Sequence, residues 1–435
     1  IFRGALDVQA TTINEAMKLA AVRAIASLAR EATSDIAARA YGGEASTFGA
    51  TSLIPNPFDP RLIMRIAPAV AEAAMATGVA RKPLIDVEAY REQLSRFVFR
   101  SGFLMKPLFQ KAKADPKRVI YAEGEDERVL RAAQVALEEG LAVPILIGRP
   151  SVIETRIQRF GLTLKPGVDF EVVNPEDDPR YRDYVQTYLD IAGRRGITPE
   201  AARSLVRTNN TVIAALAVAR GEADAMISGL EGRFMSRLRH IKDIIGLAPD
   251  VCDIAAMTLI ITNKGAFFLS DTHVKHDPTA EEIADMTVLA ADHVQRFGID
   301  PKIALLSHSD FGAADTPSSL KMRKAAKLIR ERAPHLECDG EMEADTALVP
   351  LIRERVLPSS TLKEMANVLI FPNLDAANIS YQFAKVMADA LPVGPILIGT
   401  AKPAHILTGS VTARGVVNMT AVAVVEAQES AAAGQ

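Results

Sequence analysis

Residues 366–412 read ANVLIFPNLDAANISYQFAKVMADALPVGPILIGTAKPAHILTGSVT. Val368-Leu369-Ile370-Phe371 is continuously apolar, as a strand buried on both faces is, and Pro372-Asn373-Leu374-Asp375 stops it with turn residues. A helix is predicted next, with Ile379, Phe383, Val386 and Met387 spaced to line one face. A second buried run, Pro395-Ile396-Leu397-Ile398-Gly399, leads into a loop over 400–412 that mixes Lys402, His405, Thr408 and Ser410 with Gly and Pro. Open α/β sheets bind ligands at the carboxyl ends of parallel strands, so this loop is the first candidate site.

Upstream, the same alternation recurs from Lys117 onward. Residues 118–122, the helical stretch 127–139 stopped by Gly140, and residues 142–147 read as one βαβ unit with a right-handed crossover. Further strands are predicted at 223–227, 259–262, 266–269, 303–306, 368–371 and 395–398, with helices between them. The fold class is α/β, with a doubly wound, mostly parallel sheet.

At 435 residues the chain has core volume for two or three domains. Its 50 basic and 53 acidic residues leave a net charge of −3, so no global field favours nucleic acid or an anionic membrane. Any anion site must be local. Two cysteines, Cys252 and Cys338, make neither a disulfide framework nor a structural zinc site, which suits a cytoplasmic location. No stretch approaches the roughly 20 apolar residues of a membrane span, and no signal peptide is expected from these residues.

The N-terminal part reads differently. Ile1-Phe2-Arg3-Gly4 opens without a cap, then Thr12-x-x-Glu15 predicts a capping box for a helix faced by Met17, Ala20, Ala21, Ala24, Ile25 and Leu28. A Gly-rich turn at Tyr41-Gly42-Gly43, an extended piece over 52–58, a helix start at Asp59-Pro60 and a stop at Gly78 follow. Over 86–116, Val87, Tyr90, Leu94, Phe97 and Val98 predict a connecting helix ended by Ser101-Gly102, and residues 103–109 are apolar enough to pack on a neighbour. The abrupt opening is read as a cut from a longer chain.

Several motifs carry a family resemblance. Residues 120–130 (IYAEGEDERVL), Asp277-Pro-Thr-Ala-Glu-Glu-Ile-Ala284, Leu306-Ser-His-Ser-Asp310, Asp339-Gly-Glu-Met-Glu343, residues 367–378 (NVLIFPNLDAAN), Gly394-Pro-Ile-Leu-Ile-Gly399 and Lys402-Pro403 stand in the order found in phosphate acetyltransferases. Residues 1–8, 11–17 and 54–61 resemble the end of the nicotinamide-binding domain of a bacterial malic enzyme. The whole is similar to a hybrid malic enzyme fused to a degenerate phosphotransacetylase-like domain. The resemblance implies a Rossmann-type helical remnant at 1–85, a connector at 86–116 and a transacetylase-like domain at 117–430. That domain would have one subdomain made of 117–148 with 296–430 and another made of 149–295.

Parents of this kind convert malate to pyruvate and CO2 with NADP and a divalent metal, Mg or Mn. The resemblance implies that the residues for that chemistry lie outside this sequence, and no G-x-G-x-x-G occurs in it. No cofactor or metal is therefore expected in this chain. The family follows its Lys-Pro with Ser-Arg-Gly and then an Asp base. Here Thr408-Gly409-Ser410 and Gly415 stand at those positions, so the base and one phosphate-binding cation are missing. A register shift would bring in Arg414 but no carboxylate. The reading is a domain that binds acetyl-CoA as an allosteric effector, transfers no acetyl group and helps hold a dimer-based homo-oligomer, up to a hexamer.

Effector-site candidates are Arg239, Ser307, Ser309, Asn373, Asn378, Lys402, Thr408 and Ser410. Arg239 matches a ligand-contacting arginine of the family. It lies in the basic stretch 228–242, where Phe234, Leu238, Ile241 and Ile245 form the buried face and Arg233 and Arg237 share another. A solvated charged helix is the bland reading there. Ser307 and His308 are adjacent on extended backbone and point apart, which favours ligand lining over a nucleophilic pair. His273-Val-Lys-His276 sits among turn residues, which disfavours a metal. Two rivals stand beside the sensor reading: an active phosphate acetyltransferase and a purely structural oligomerisation module.

Overall fold

The computed structural model describes residues 1–30, 49, 53–55, 61–98, 100–262, 264–388 and 390–433, with all side chains among them except those of 92, 95–98, 100–103 and 433. The chain divides into two units, Ile1–Leu104 and Met105–Gln435.

The first unit packs the helices Phe2–Asp7, Glu15–Arg30, Arg61–Ala76 and Val87–Val98 around Val8, Met17, Ala21, Val70, Ala74, Tyr90 and Leu94. Small residues permit the crossing: a Cβ on Gly4 would collide with the carbonyl oxygen of Ala67. The expected capping box gives way to Asn14, whose Oδ1 accepts from Met17 N at 3.0 Å, because the helix begins immediately after it. The helix expected as a connector belongs to this unit's core, and Tyr90 donates its hydroxyl to Asp7 Oδ2 at 2.6 Å. Ser101-Gly102 does not end a helix but lies inside Arg100–Ala114. Gly78 supplies the left-handed stop after Ala76, at φ 73°. The turn at 41–43, the helix start at 59–60 and most of 52–58 fall outside the described residues.

The second unit holds strands β1 (Lys117–Tyr121), β2 (Ala142–Ile147), β3 (Glu171–Val173), β4 (Ala225–Ser228), β5 (Ala255–Ile261) and β6 (Ala266–Ser270). These are followed by β7 (Lys302–Leu306), β8 (Glu337–Met342), β9 (Val368–Ile370), β10 (Leu391–Ile398) and β11 (Ala404–Ile406). They form two sheets instead of one. The first has the order β11-β4-β1-β2-β3, parallel throughout; the second has the order β10-β5-β6-β9-β7-β8. In the second sheet β5 alone runs against its neighbours, so β10 still points the same way as β6, β7 and β9. The α/β class stands, with parallel pairing dominant.

Strand pairing groups the chain differently from the implied subdomains. Residues 117–148 pair with β3 and β4, not with β7 to β10, and only β11 returns from the C-terminal part to join them. β5 and β6, assigned by the resemblance to 149–295, pair instead with β10 and β9. The chain leaves the first sheet after β4 and places its next strand, β5, in the second.

Burial explains why these runs are strands. β4 and β5 are buried along their whole length, and the helix Asn210–Ala219, apolar nearly all round, is enclosed among Ile120, Met226 and Ile406. The final helix, Ala413–Ala433, lies across both sheets, touching β1, β2, β4, β10 and β11. A polar joint accompanies it. His405 of β11 accepts from Leu397 N of β10 through Nδ1 at 3.3 Å, and its Nε2 stands 3.2 Å from Glu426 Oε2. His293 Nε2 approaches the other carboxylate oxygen at 3.3 Å.

One apolar helix face points outward. The helix Leu374–Met387 buries Ala377 and Tyr381, and its stripe of Ile379, Phe383, Val386 and Met387 faces outward. The apolar period marks a face without telling which side it meets. Among the described residues no helix is long and apolar enough to cross a membrane.

Candidate functional site

The carboxyl ends of β1, β4 and β11 bring three short segments together: Glu123-Gly124, Ser228-Gly229-Leu230 and residues 407–411. Leu407 N donates to Ser228 O at 2.7 Å, and at that approach a Cβ on Gly229 would strike the Leu407 carbonyl oxygen. Gly229 also holds φ 102°, so glycine is required twice over.

Glu123 is the central acid. Its Oε1 accepts from Gly229 N at 3.2 Å and lies 2.8 Å from Arg237 Nη1. Its Oε2 is buried without a hydrogen-bond partner, as is the hydroxyl of Ser228. Burial pushes the Glu123 carboxyl up, and Arg237 and the amides of Gly229 and Leu230 pull against it. Arg237 turns inward and also donates to the Glu231 carbonyl. Nearby, His240 is held below its ordinary range by burial, with Nε2 against Asn209 Nδ2 at 3.1 Å.

Arg128 fixes the loop. Its Nη1 donates to Gly409 O at 2.6 Å and Val411 O at 3.2 Å, while Asp126, the cap of helix Glu127–Glu138, grips the same guanidinium at 2.8 Å. Thr408 and Ser410 face each other across 3.2 Å. At Gly409 a Cβ would meet only Leu230 O, at an ordinary 3.5 Å; at Gly415 it would crowd Val411 Cγ2 at 2.7 Å. Arg414 lies 5.4 Å from the centre of the Phe109 ring.

The eight candidates therefore separate. Thr408 and Ser410 sit on the pinned loop. Lys402 donates to Val218 O at 2.9 Å and Ala219 O at 3.3 Å, closing the end of helix Asn210–Ala219. Arg239 is 83% exposed and 3.9 Å from Asp243. The other four stand at the second sheet. Asn373 caps its helix through Ala376 N, and Asn378 donates to Thr272 O. Ser309 donates to Glu341 Oε1 at 3.0 Å and accepts from Ala314 N. Only Ser307 keeps a buried hydroxyl without a partner. Burial pushes the Glu341 carboxyl up, but Arg323 and the Gly312 amide hold it below the usual range.

His273 and His276 do not converge. His273 packs between the rings of Phe234 at 5.2 Å and Tyr381 at 6.1 Å, and burial drives its pKa to about 4. Asp271 accepts from the amides of His273, Val274 and Lys275, and burial raises its carboxyl. Glu123, Arg128 and Arg237 were not among the sequence candidates. The motif IYAEGEDERVL contains two of them, but nothing local distinguishes a loop anchor from a surface charge.

A family model described as Phosphate acetyl/butaryl transferase matches residues 103–424. The chain belongs to this family. A phosphotransacetylase from Streptococcus pyogenes superposes with a TM-score of 0.71 at 28% identity, covering 76% of this chain and 99% of that one. The similarity to malic enzymes extends further along the chain. An NAD-dependent malic enzyme of Rhizobium meliloti is 63% identical over 427 residues, and an NADP-dependent malic enzyme of Escherichia coli 52% identical over 429. Each match takes in 98% of this chain, which spans about half the length of these relatives, 56% in both cases.

Proposed function

We propose that this chain is the regulatory and oligomer-forming portion of a cytoplasmic malic enzyme and binds acetyl-CoA as an effector without transferring its acetyl group. Residues 1–85 are then the end of the nicotinamide-binding domain, and malate decarboxylation, with its divalent metal, belongs to the part of the parent outside this chain. The relatives divide on NADP, the coenzyme expected from sequence, and NAD.

One observation carries the reading. The loop over 408–411 is held by Arg128 and Gly229 in close register with the first sheet, yet Gly409 and Gly415 present no cation and no carboxylate. A transferase needs a base for the thiol and cations for the phosphate. A binder needs only the framework. Glu123 commits one carboxylate oxygen to Arg237 and the Gly229 amide.

Calorimetric titration of acetyl-CoA, paired with an assay for phosphate-dependent CoA release, tests the proposal. Heat of binding with no release is the expected outcome. Release identifies an active transferase, and the absence of heat at millimolar ligand leaves the structural module.

A further inference from the structure

The buried joint at Glu426 is one hydrogen bond short. Four side chains meet there: Glu426 of the helix Ala413–Ala433, His405 of β11, and His293 and Arg296 at the end of the helix Ala280–Arg296. Their partners fix where the protons sit. The Leu397 amide donates to His405 Nδ1, so that imidazole is neutral and carries its proton on Nε2, beside Glu426 Oε2. His293 is the opposite tautomer. Its Nδ1 donates to the Leu289 carbonyl at 3.1 Å, and its Nε2 accepts from Arg296 Nη1 at 2.8 Å. His293 thus has no proton to offer Glu426 Oε1, 3.3 Å away, and that oxygen is buried without a hydrogen bond. Arg296 Nη1 stands 3.7 Å from it, beyond hydrogen-bond reach. Burial pushes the Glu426 carboxyl up, but the two imidazoles hold it below the usual range, so it stays ionised. The oxygen is closed to solvent, which leaves a proton as the partner that can reach it without repacking.

We propose that His293 is a proton-operated switch that exchanges the counter-ion of Glu426. A proton taken from solvent onto His293 Nε2 forms the missing hydrogen bond to Glu426 Oε1. It also consumes the lone pair that Arg296 Nη1 had used, and like charge drives the guanidinium off. Arg296 has a second place to go, since its Nε already lies 2.7 Å from Glu429 Oε2 nearer the surface. The helix Ala280–Arg296 is then joined to the final helix by a direct imidazolium–carboxylate bond, while His405 stays neutral on the Leu397 amide. The other charges nearby are committed elsewhere. β6, β9 and β10 pack on the helix Ala280–Arg296 and carry none. From the helix Pro317–Arg332, Lys324 pairs with Glu281 and Arg332 with Asp285. Lys111 of the helix Arg100–Ala114 donates to the Arg296 carbonyl.

Carbon-13 NMR of the imidazole Cε1 atoms of the 435-residue chain, with its seven histidines, is the test, and His293→Gln assigns the signal. The His293 resonance is expected to pass from the neutral to the protonated position as pH falls between about 8 and 5, and that of His405 to stay neutral. Arg296→Met removes the competing cation and is expected to move the His293 transition to higher pH; Glu426→Gln removes the attracting anion and moves it to lower pH. Arg296 is partly exposed, so Arg296→Met decides the matter even where Glu426→Gln fails to fold. A histidine that only fills space would titrate at the same pH in the parent and in Arg296→Met. That result overturns the switch, as does a His293 signal fixed in one state across the range, or a His405 signal that titrates with it.

Discussion

Arg237 and Glu123 form an ion pair, 2.8 Å apart, with only 17% and 10% of their side chains exposed. Removing one partner strands the other in a poorly solvated place. Arg237→Met is expected to lower unfolding free energy by about 3 kcal/mol. The double change Arg237→Met with Glu123→Leu should recover much of that loss. Urea denaturation of the three proteins checks both directions.

Arg128 supports the loop through two carbonyls, at Gly409 and Val411. Arg128→Lys keeps the charge but loses the fork geometry. Acetyl-CoA affinity should fall about tenfold, or 1.4 kcal/mol, with little change in melting temperature. Lys402→Met should do the reverse. It uncaps a helix at a cost of about 1 kcal/mol and leaves affinity intact, because Lys402 is committed to Val218 and Ala219.

Restoring the missing groups should restore chemistry. Gly409→Arg has room, whereas Gly415→Asp requires relief from Val411 Cγ2. The triple variant Gly409→Arg, Val411→Ala, Gly415→Asp is expected to release CoA from acetyl-CoA in a phosphate-dependent way, above the parent's background. Gly415→Asp alone is expected to be destabilised by about 1–3 kcal/mol through overpacking.

His273 gives a pH dependence of known sign. An unfolded imidazole titrates near 6.5 and this one at about 4, so the folded state binds fewer protons between those values. Its contribution is complete above pH 6.5 and disappears as pH falls toward 4, a swing of about 3 kcal/mol at 1.36 kcal/mol per unit. Replacement by Phe, which fits beside Phe234 and Tyr381, should flatten that part of the stability curve.

The apolar strands were legible because burial on both faces writes a continuous run: β2, β6, β7 and β9 lie within a residue or so of their expected limits. β8 was not, because its Asp339 and Glu341 look like loop residues. Inside the fold Asp339 is met by Ser360 Oγ and Thr361 N, and Glu341 by Arg323. β11 hid for the same reason, with a histidine at its centre. At the site, the glycines at 409 and 415 could be read directly, but Arg237's inward turn depends on a carboxylate more than a hundred residues away.

The joint at His405 sets how the two sheets can move. A single imidazole, fully enclosed, answers to a backbone amide on β10 and to a carboxylate on the closing helix. Sliding one ladder past the other would disturb both at once, in a place largely closed to solvent. Added salt should therefore leave the coupling of the sheets intact while it loosens the pairs around the rim, and the loop after β11 inherits its rigidity from that dry hinge pin.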